Sequence, residues 1–100
     1  MNENWPFDQP KNCASFTISQ IMNGELPILV VYHDLEDDGW QFLSNTELRM
    51  EDAMIVALEE IVKIDDSVLK VAMIEPGFHA WRKSTEDKWI IAQTPIEENE

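Results

Sequence analysis

The sequence contains little of what would indicate a secreted, a membrane-spanning or a nucleotide-binding protein. It has one cysteine, Cys13, and only three glycines. A single cysteine cannot form an internal disulfide, and no basic-led apolar segment resembles a secretion signal, so we expect a cytoplasmic protein. Three isolated glycines do not make a phosphate-binding loop. The longest apolar run, residues 26–32, is far shorter than the roughly 20 residues that span a bilayer.

Basic residues are also scarce. Twenty acidic residues stand against seven basic ones, which gives a formal charge of −13 and a pI near 4.3. Such a charge repels phosphate backbones and anionic lipids, so we expect neither nucleic acid nor a membrane as a partner. The same field speeds association with a basic protein, although acidity is also a common solubility device. Both interpretations remain open at this level.

Hydrophobic periodicity predicts one α+β domain with a mostly antiparallel sheet. The run 28–32 is continuous and β-branched, which favours a central strand covered on both faces. A polar turn, 34–39, then joins it to a strand that places Trp40 and Phe42 on one face. A further strand is predicted at 13–19. The segments 78–83 and 88–92 are predicted to form a C-terminal hairpin.

From residue 51 onward the apolar period changes to that of a helix. Apolar side chains recur at i, i+4, i+7 and i+8, namely at Met54, Leu58, Ile61 and Val62. This spacing predicts one long amphipathic helix over 51–64, and a capping sequence predicts a short helix over 66–73. We expect both helices to cover the sheet of a single domain, 1–100. Its ordered core is about 5–93, and the acidic tail 94–100 is expected to be flexible.

The string His33-Asp34 and the acidic turn after it are the sequences closest to a metal motif. An imidazole beside a carboxylate can hold a divalent cation and activate water, so a small metal-dependent hydrolase at His33 and Asp34 is one alternative. The turn 34–39 resembles the opening of a calcium loop, but Asn45 stands where the closing glutamate belongs. We therefore expect a capped histidine and a solvated hairpin tip, with no cofactor, metal or catalytic residue.

The N-terminal segment 5–14 is rich in aromatics, prolines and amides, and we expect it to dock on the fold rather than to form a loose tail. Several strings of the sequence belong together: Trp5-Pro6-Phe7-Asp8-Gln9-Pro10, Asn12-Cys13-Ala14, Pro27-Ile28-Leu29, His33-Asp34, Asp38-Gly39-Trp40-Gln41-Phe42-Leu43, Glu51-Asp52-Ala53 and Pro76-Gly77. With these strings the sequence is similar to short bacterial proteins of unknown function related to the immunity-protein-like domains of polymorphic toxin systems. The family has a tryptophan where this chain has Phe78.

The resemblance implies a small cytoplasmic α+β protein without established catalytic residues. Together with the charge, it favours a non-enzymatic acidic protein-binding domain, and in particular an immunity protein that binds a basic toxin. The candidate partner-binding residues are the exposed aromatic Trp5 and the tip carboxylates Glu36, Asp37 and Asp38. A homodimeric regulatory or housekeeping protein is the other alternative to the hydrolase.

Overall fold

The computed structural model of the protein describes residues 5–95. Its central element is a six-stranded mixed sheet. The strand order is β4-β1-β3-β2-β5-β6. The strands are β1 Ala14–Ile18, β2 Val30–His33, β3 Trp40–Leu43, β4 Ala53–Ala57, β5 Phe78–Trp81 and β6 Ile90–Gln93. The helices are α1 Ser19–Met22 and α2 Leu58–Ile64, with shorter 3-10 helices at Met50–Asp52 and Asp66–Val71.

The α+β class and the mostly antiparallel sheet are confirmed. Both predicted hairpins form, β2 with β3 and β5 with β6, and β2 also pairs with β5 in the antiparallel sense. One pair differs, because β1 runs parallel to β3. The short helix predicted over 66–73 is present as the 3-10 helix Asp66–Val71. Of the predicted flexible tail 94–100, residues 96–100 lie outside the described part of the chain.

The prediction of one long helix over 51–64 is wrong for its first half. Residues Ala53–Ala57 form β4, which pairs with β1 at five successive positions, from Ala14↔Ala57 to Ile18↔Ala53. The edge of β1 offers these residues backbone partners, and cross-strand pairing outweighs a helical period in so short a segment. Only Leu58–Ile64 is α-helical.

The N-terminal segment determines where α2 begins. The first backbone N–H groups of a helix have no partner within the helix. Here the Leu58 N–H donates to the Cys13 carbonyl at 2.9 Å, and the Glu59 N–H donates to the Lys11 carbonyl at 3.0 Å. The chain before β1 therefore satisfies the helix start, and Leu58 and Ile61 of α2 are fully buried.

The helical layer, which consists of α2 and the 3-10 helix Asp66–Val71, covers one face of the sheet. Side chains of Val31, Phe42 and Ala80 point into the core from that face and are fully buried. The core residues from the helical layer are Leu58, Ile61, Val68 and Val71. Val30 and Tyr32, which alternate with the buried positions of β2, are only half-buried. The expectation that this central strand is covered on both faces is therefore wrong.

A buried arginine joins the helical layer to the sheet. Arg82 is 4% exposed; it donates to the Ile28 carbonyl at 2.9 and 3.1 Å and pairs with the Asp65 carboxylate at 2.6 Å. Asp65 also accepts from the Ser67 N–H at 3.0 Å, which caps the 3-10 helix. Burial raises the pKa of Asp65, but the hydrogen bonds from Ser67 and the contact with Arg82 hold it below its ordinary value. Among residues 5–95, no helix could cross a bilayer.

Substitution of two adjacent valines should reveal the difference between the two faces. We expect Val31→Ala to lower the free energy of unfolding by about 2 kcal/mol, because two methyl groups leave a cavity in the core. Val30→Ala, its neighbour on the other face, should cost less than about 1 kcal/mol. Urea unfolding followed by circular dichroism measures both values, and equal costs would contradict the one-sided core.

Asp65→Asn should separate the charge of the carboxylate from its capping role. Asparagine still caps the helix but leaves a buried guanidinium without its counter-charge, so we expect a loss of about 1–3 kcal/mol near neutral pH. A lowered folded-state pKa stabilises above the ordinary value of 3.8, and this contribution is lost as the pH falls below it. The difference between the wild type and the variant should therefore shrink as the pH falls below 3.8. A difference independent of pH in urea unfolding would contradict this account.

Candidate functional site

The acidic turn between β2 and β3 forms a closed and well-defined tip, residues 34–39. The Asp34 N–H donates to the Gly39 carbonyl at 2.8 Å, and the Asp38 N–H donates to the Asp34 carbonyl at 3.1 Å. Asp38 has a φ of 61°, in the left-handed region that aspartate tolerates better than most residues. The Asp37 carboxylate accepts from the Gly39 N–H at 3.0 Å. The backbone of the tip is thus held in one shape.

A buried histidine anchors this tip to the core. His33 is 6% exposed; its Nδ1 lies 2.8 Å from the Ile74 carbonyl, and its Nε2 lies 2.8 Å from the Asp38 carboxylate. The ring stacks on Trp40 with a centroid distance of 4.0 Å and an interplanar angle of 13°, and Trp40 itself belongs to the buried core.

The N-terminal segment docks against the same anchor, as expected. The Gln9 amide nitrogen donates to the Asp38 carboxylate at 3.0 Å, while its amide oxygen accepts from the Trp40 indole N–H at 2.9 Å. The Trp5 indole N–H donates to the Gln9 carbonyl at 2.7 Å. Phe7, 4% exposed, meets Trp40 edge to face at 5.0 Å. One amide therefore bridges the N-terminal segment, the tip and β3.

The four predicted partner-binding residues fall into two groups. Glu36 and Asp37 are exposed on the tip and available to a partner. Asp38 is exposed as well, but its carboxylate is engaged by His33 and Gln9. Trp5 is half-buried beside Phe7, at 5.3 Å between ring centroids. The side chains of Asp38 and Trp5 thus make contacts within the fold. The side chains of Glu36 and Asp37 are the more accessible two of the four.

Asp34 is a candidate that sequence reasoning did not place among the partner-binding residues. Its two carboxylate oxygens each accept from the Gln41 amide nitrogen at 3.0 Å. Gln41 lies on the face of the sheet opposite the helices, because its neighbours Trp40 and Phe42 point into the core. The alternation of β3 was the available signal, since it puts Gln41 on that outer face beside the end of the tip.

A groove of about 370 Å³ lies between the tip and the outer strands. Asp34, Asp37 and Gln41 supply polar groups at one end, and Phe16 of β1 and Ile55 of β4 supply an apolar floor. Carboxylates beside apolar side chains can receive a lysine or arginine whose aliphatic stem packs on the apolar part. The site is therefore suited to a basic side chain presented by another molecule.

The geometry favours a packing role for His33 over a metal-binding role. Both of its ring nitrogens take part in the hydrogen bonds described above. Within residues 5–95, no group of three or more histidine, cysteine, aspartate or glutamate side chains is arranged to hold a metal ion. The Asp34 carboxylate interacts with Gln41 rather than with His33.

Comparison with protein-family models, with curated proteins and with solved structures found no match to this chain. The similarity to immunity-protein-like domains accordingly stays a prediction from the strings quoted above. A function can be proposed only from the chemistry of the chain's own residues.

Two neighbouring aspartates provide a matched test of the anchor. Asp38→Asn should lower the free energy of unfolding by about 1–2 kcal/mol, because a neutral amide replaces the carboxylate that contacts both Gln9 and the buried His33 ring. Asparagine tolerates the left-handed backbone, so strain should not contribute. Asp37→Asn keeps the acceptor for the Gly39 N–H and should change stability by less than about 0.5 kcal/mol. Chemical denaturation of both variants measures the difference, and equal values would mean that the bond between His33 and Asp38 does not anchor the tip.

Proposed function

We propose that this protein is a non-enzymatic, cytoplasmic protein-binding domain that binds a basic protein through its acidic tip. The observation that carries the proposal is the fixed tip, on which Glu36 and Asp37 are exposed and Asp34 is held by Gln41. We further propose, from the resemblance of the sequence strings, that the basic partner is a toxin and that the protein acts as its immunity protein.

Rigidity and charge support this proposal together. A loop that is already ordered loses little conformational freedom on binding, so more of the contact energy appears as affinity. A chain with a charge of −13 also attracts a basic partner over distance and raises its association rate. An immunity protein that works by covering its toxin needs such a surface and no catalytic group.

The partner should be recoverable by its charge. With the purified protein as bait in a lysate of its source organism, we expect a stoichiometric basic protein that binds at low salt and is lost as salt rises. The double variant Glu36→Lys/Asp37→Asn should weaken binding of that partner by about tenfold or more at low salt in isothermal titration calorimetry. Asparagine at position 37 of this variant still offers an acceptor to the Gly39 N–H.

The matched control is Glu86→Lys/Asp87→Asn in the loop before β6. It changes the net charge by the same amount and also alters exposed residues. If the two double variants weaken binding equally, only the overall charge matters, and the tip is not the binding site. Recovery of no basic partner at either salt concentration would count against the proposal as a whole.

A further inference from the structure

The face of the sheet opposite the helices carries a surface of apolar and uncharged polar side chains, here called the open face. Side chains alternate between the two faces along each strand. The strand registers therefore align one residue of each strand in a row that crosses this face: Ile55, Phe16, Gln41, Tyr32, His79 and Ala92. A second row beside it contains three apolar residues, Val30, Trp81 and Ile90. The open face is the set of these nine residues.

None of the nine is aspartate, glutamate, lysine or arginine. Charged residues make up 27% of the whole chain, so nine positions of ordinary surface would carry about two. Ile55 is 66% exposed, Ile90 49% and Trp81 38%, and the helical core packs on the other face. Exposed apolar side chains within an uncharged area of a strongly charged protein are typical of a surface that another molecule covers.

The size and the border of the open face indicate what covers it. Six strands spaced about 4.8 Å apart span about 24 Å, and three to four residues along each strand add about 10–13 Å. The resulting footprint of about 300 Å² is well below the about 800 Å² per partner of a standard interface. The open face alone is thus too small for a stable dimer, and a partner that covers it must also contact its border.

The border nearest the tip is acidic. Asp34 and Asp37 line the same groove as Phe16 and Ile55 of the open face. A second copy of this chain would bring another acidic tip and a further charge of −13 to the contact, which is unfavourable. A partner with lysine or arginine beside an apolar strip matches both the floor and the border of the groove.

We propose that the open face is the apolar half of the binding surface, and that its occupant is a segment of a basic protein with alternating apolar and basic side chains. The apolar side chains pack on Phe16 and Ile55 while the basic ones reach Asp34 and Asp37. This inference rests on the proposed function, because it uses the same tip carboxylates. It adds the chemical pattern of the partner and a second set of contact residues.

Three synthetic six-residue peptides serve as probes in NMR titrations of the full chain: alternating Leu-Lys, alternating Ser-Lys and alternating Leu-Glu. We expect the Leu-Lys peptide to shift backbone amides of β1, β3 and β4 and of the tip, and to bind about tenfold more tightly than Ser-Lys. The Leu-Glu peptide should bind at least about tenfold more weakly than Leu-Lys at low salt, because the border is acidic.

Three single variants test the assignment with little risk to folding. Ile55→Ser should weaken Leu-Lys binding by about fivefold or more without affecting Ser-Lys binding. Met73→Ser removes a similarly exposed residue, 77% accessible, from a position outside the open face and should leave both affinities unchanged. Asp34→Asn should weaken both lysine peptides, more at low salt than at high salt.

The outcomes separate this inference from the function on which it rests. If both lysine peptides bind only at the tip and with equal affinity, the open face is not a contact surface, and acidic recognition by the tip still stands. If Leu-Glu binds as well as Leu-Lys, the border does not select charge, and both proposals fail. If analytical ultracentrifugation shows a dimer that Ile55→Ser converts to a monomer, the occupant is a second copy and the inference is overturned.

Discussion

The contact that joins the parts of this fold is the pair of hydrogen bonds on the His33 ring. One links β2 to the Ile74 carbonyl in the segment that follows the 3-10 helix Asp66–Val71, and the other holds the Asp38 carboxylate at the tip. Trp40 stacks on the same ring and connects it through Gln9 to the N-terminal segment. Loss of this ring would remove one contact each from the Asp38 carboxylate, the Ile74 carbonyl and the Trp40 ring, so the shape of the tip depends on the core beneath it.

The two faces of the sheet have different roles because the helical layer covers only one of them. On the covered face the buried arginine, Arg82, and the apolar residues around it stabilise the fold. On the open face the apolar residues are partly exposed and end at Asp34 and Asp37. An uncharged surface beside a carboxylate-rich tip is the arrangement on which the proposed binding of a basic partner rests.

Sequence patterns identified the elements that depend on local chemistry. The alternation in β1 and β3, both hairpins and the docking of the N-terminal segment follow from residue types and spacing, as does the cap at Asp65. The error at residues 53–57 has a physical reason. Their apolar spacing fits a helix, but the free edge of β1 offers five paired positions, and that edge exists only once the sheet has formed. The contact between Gln9 and Asp38 could not be read from the sequence either, because the two residues lie 29 positions apart.

The sequence by itself determined the α+β class, the acidic character, and which residues carry the tip carboxylates, because composition, periodicity and turn chemistry are local properties. Only the tertiary structure decided which of those carboxylates stabilise the fold and which face outward. It also decided that β1 runs parallel to β3, and that Asp34 lies beside Phe16 and Ile55. These are relations between residues distant in sequence, and they are set by how strands and helices pack as a whole.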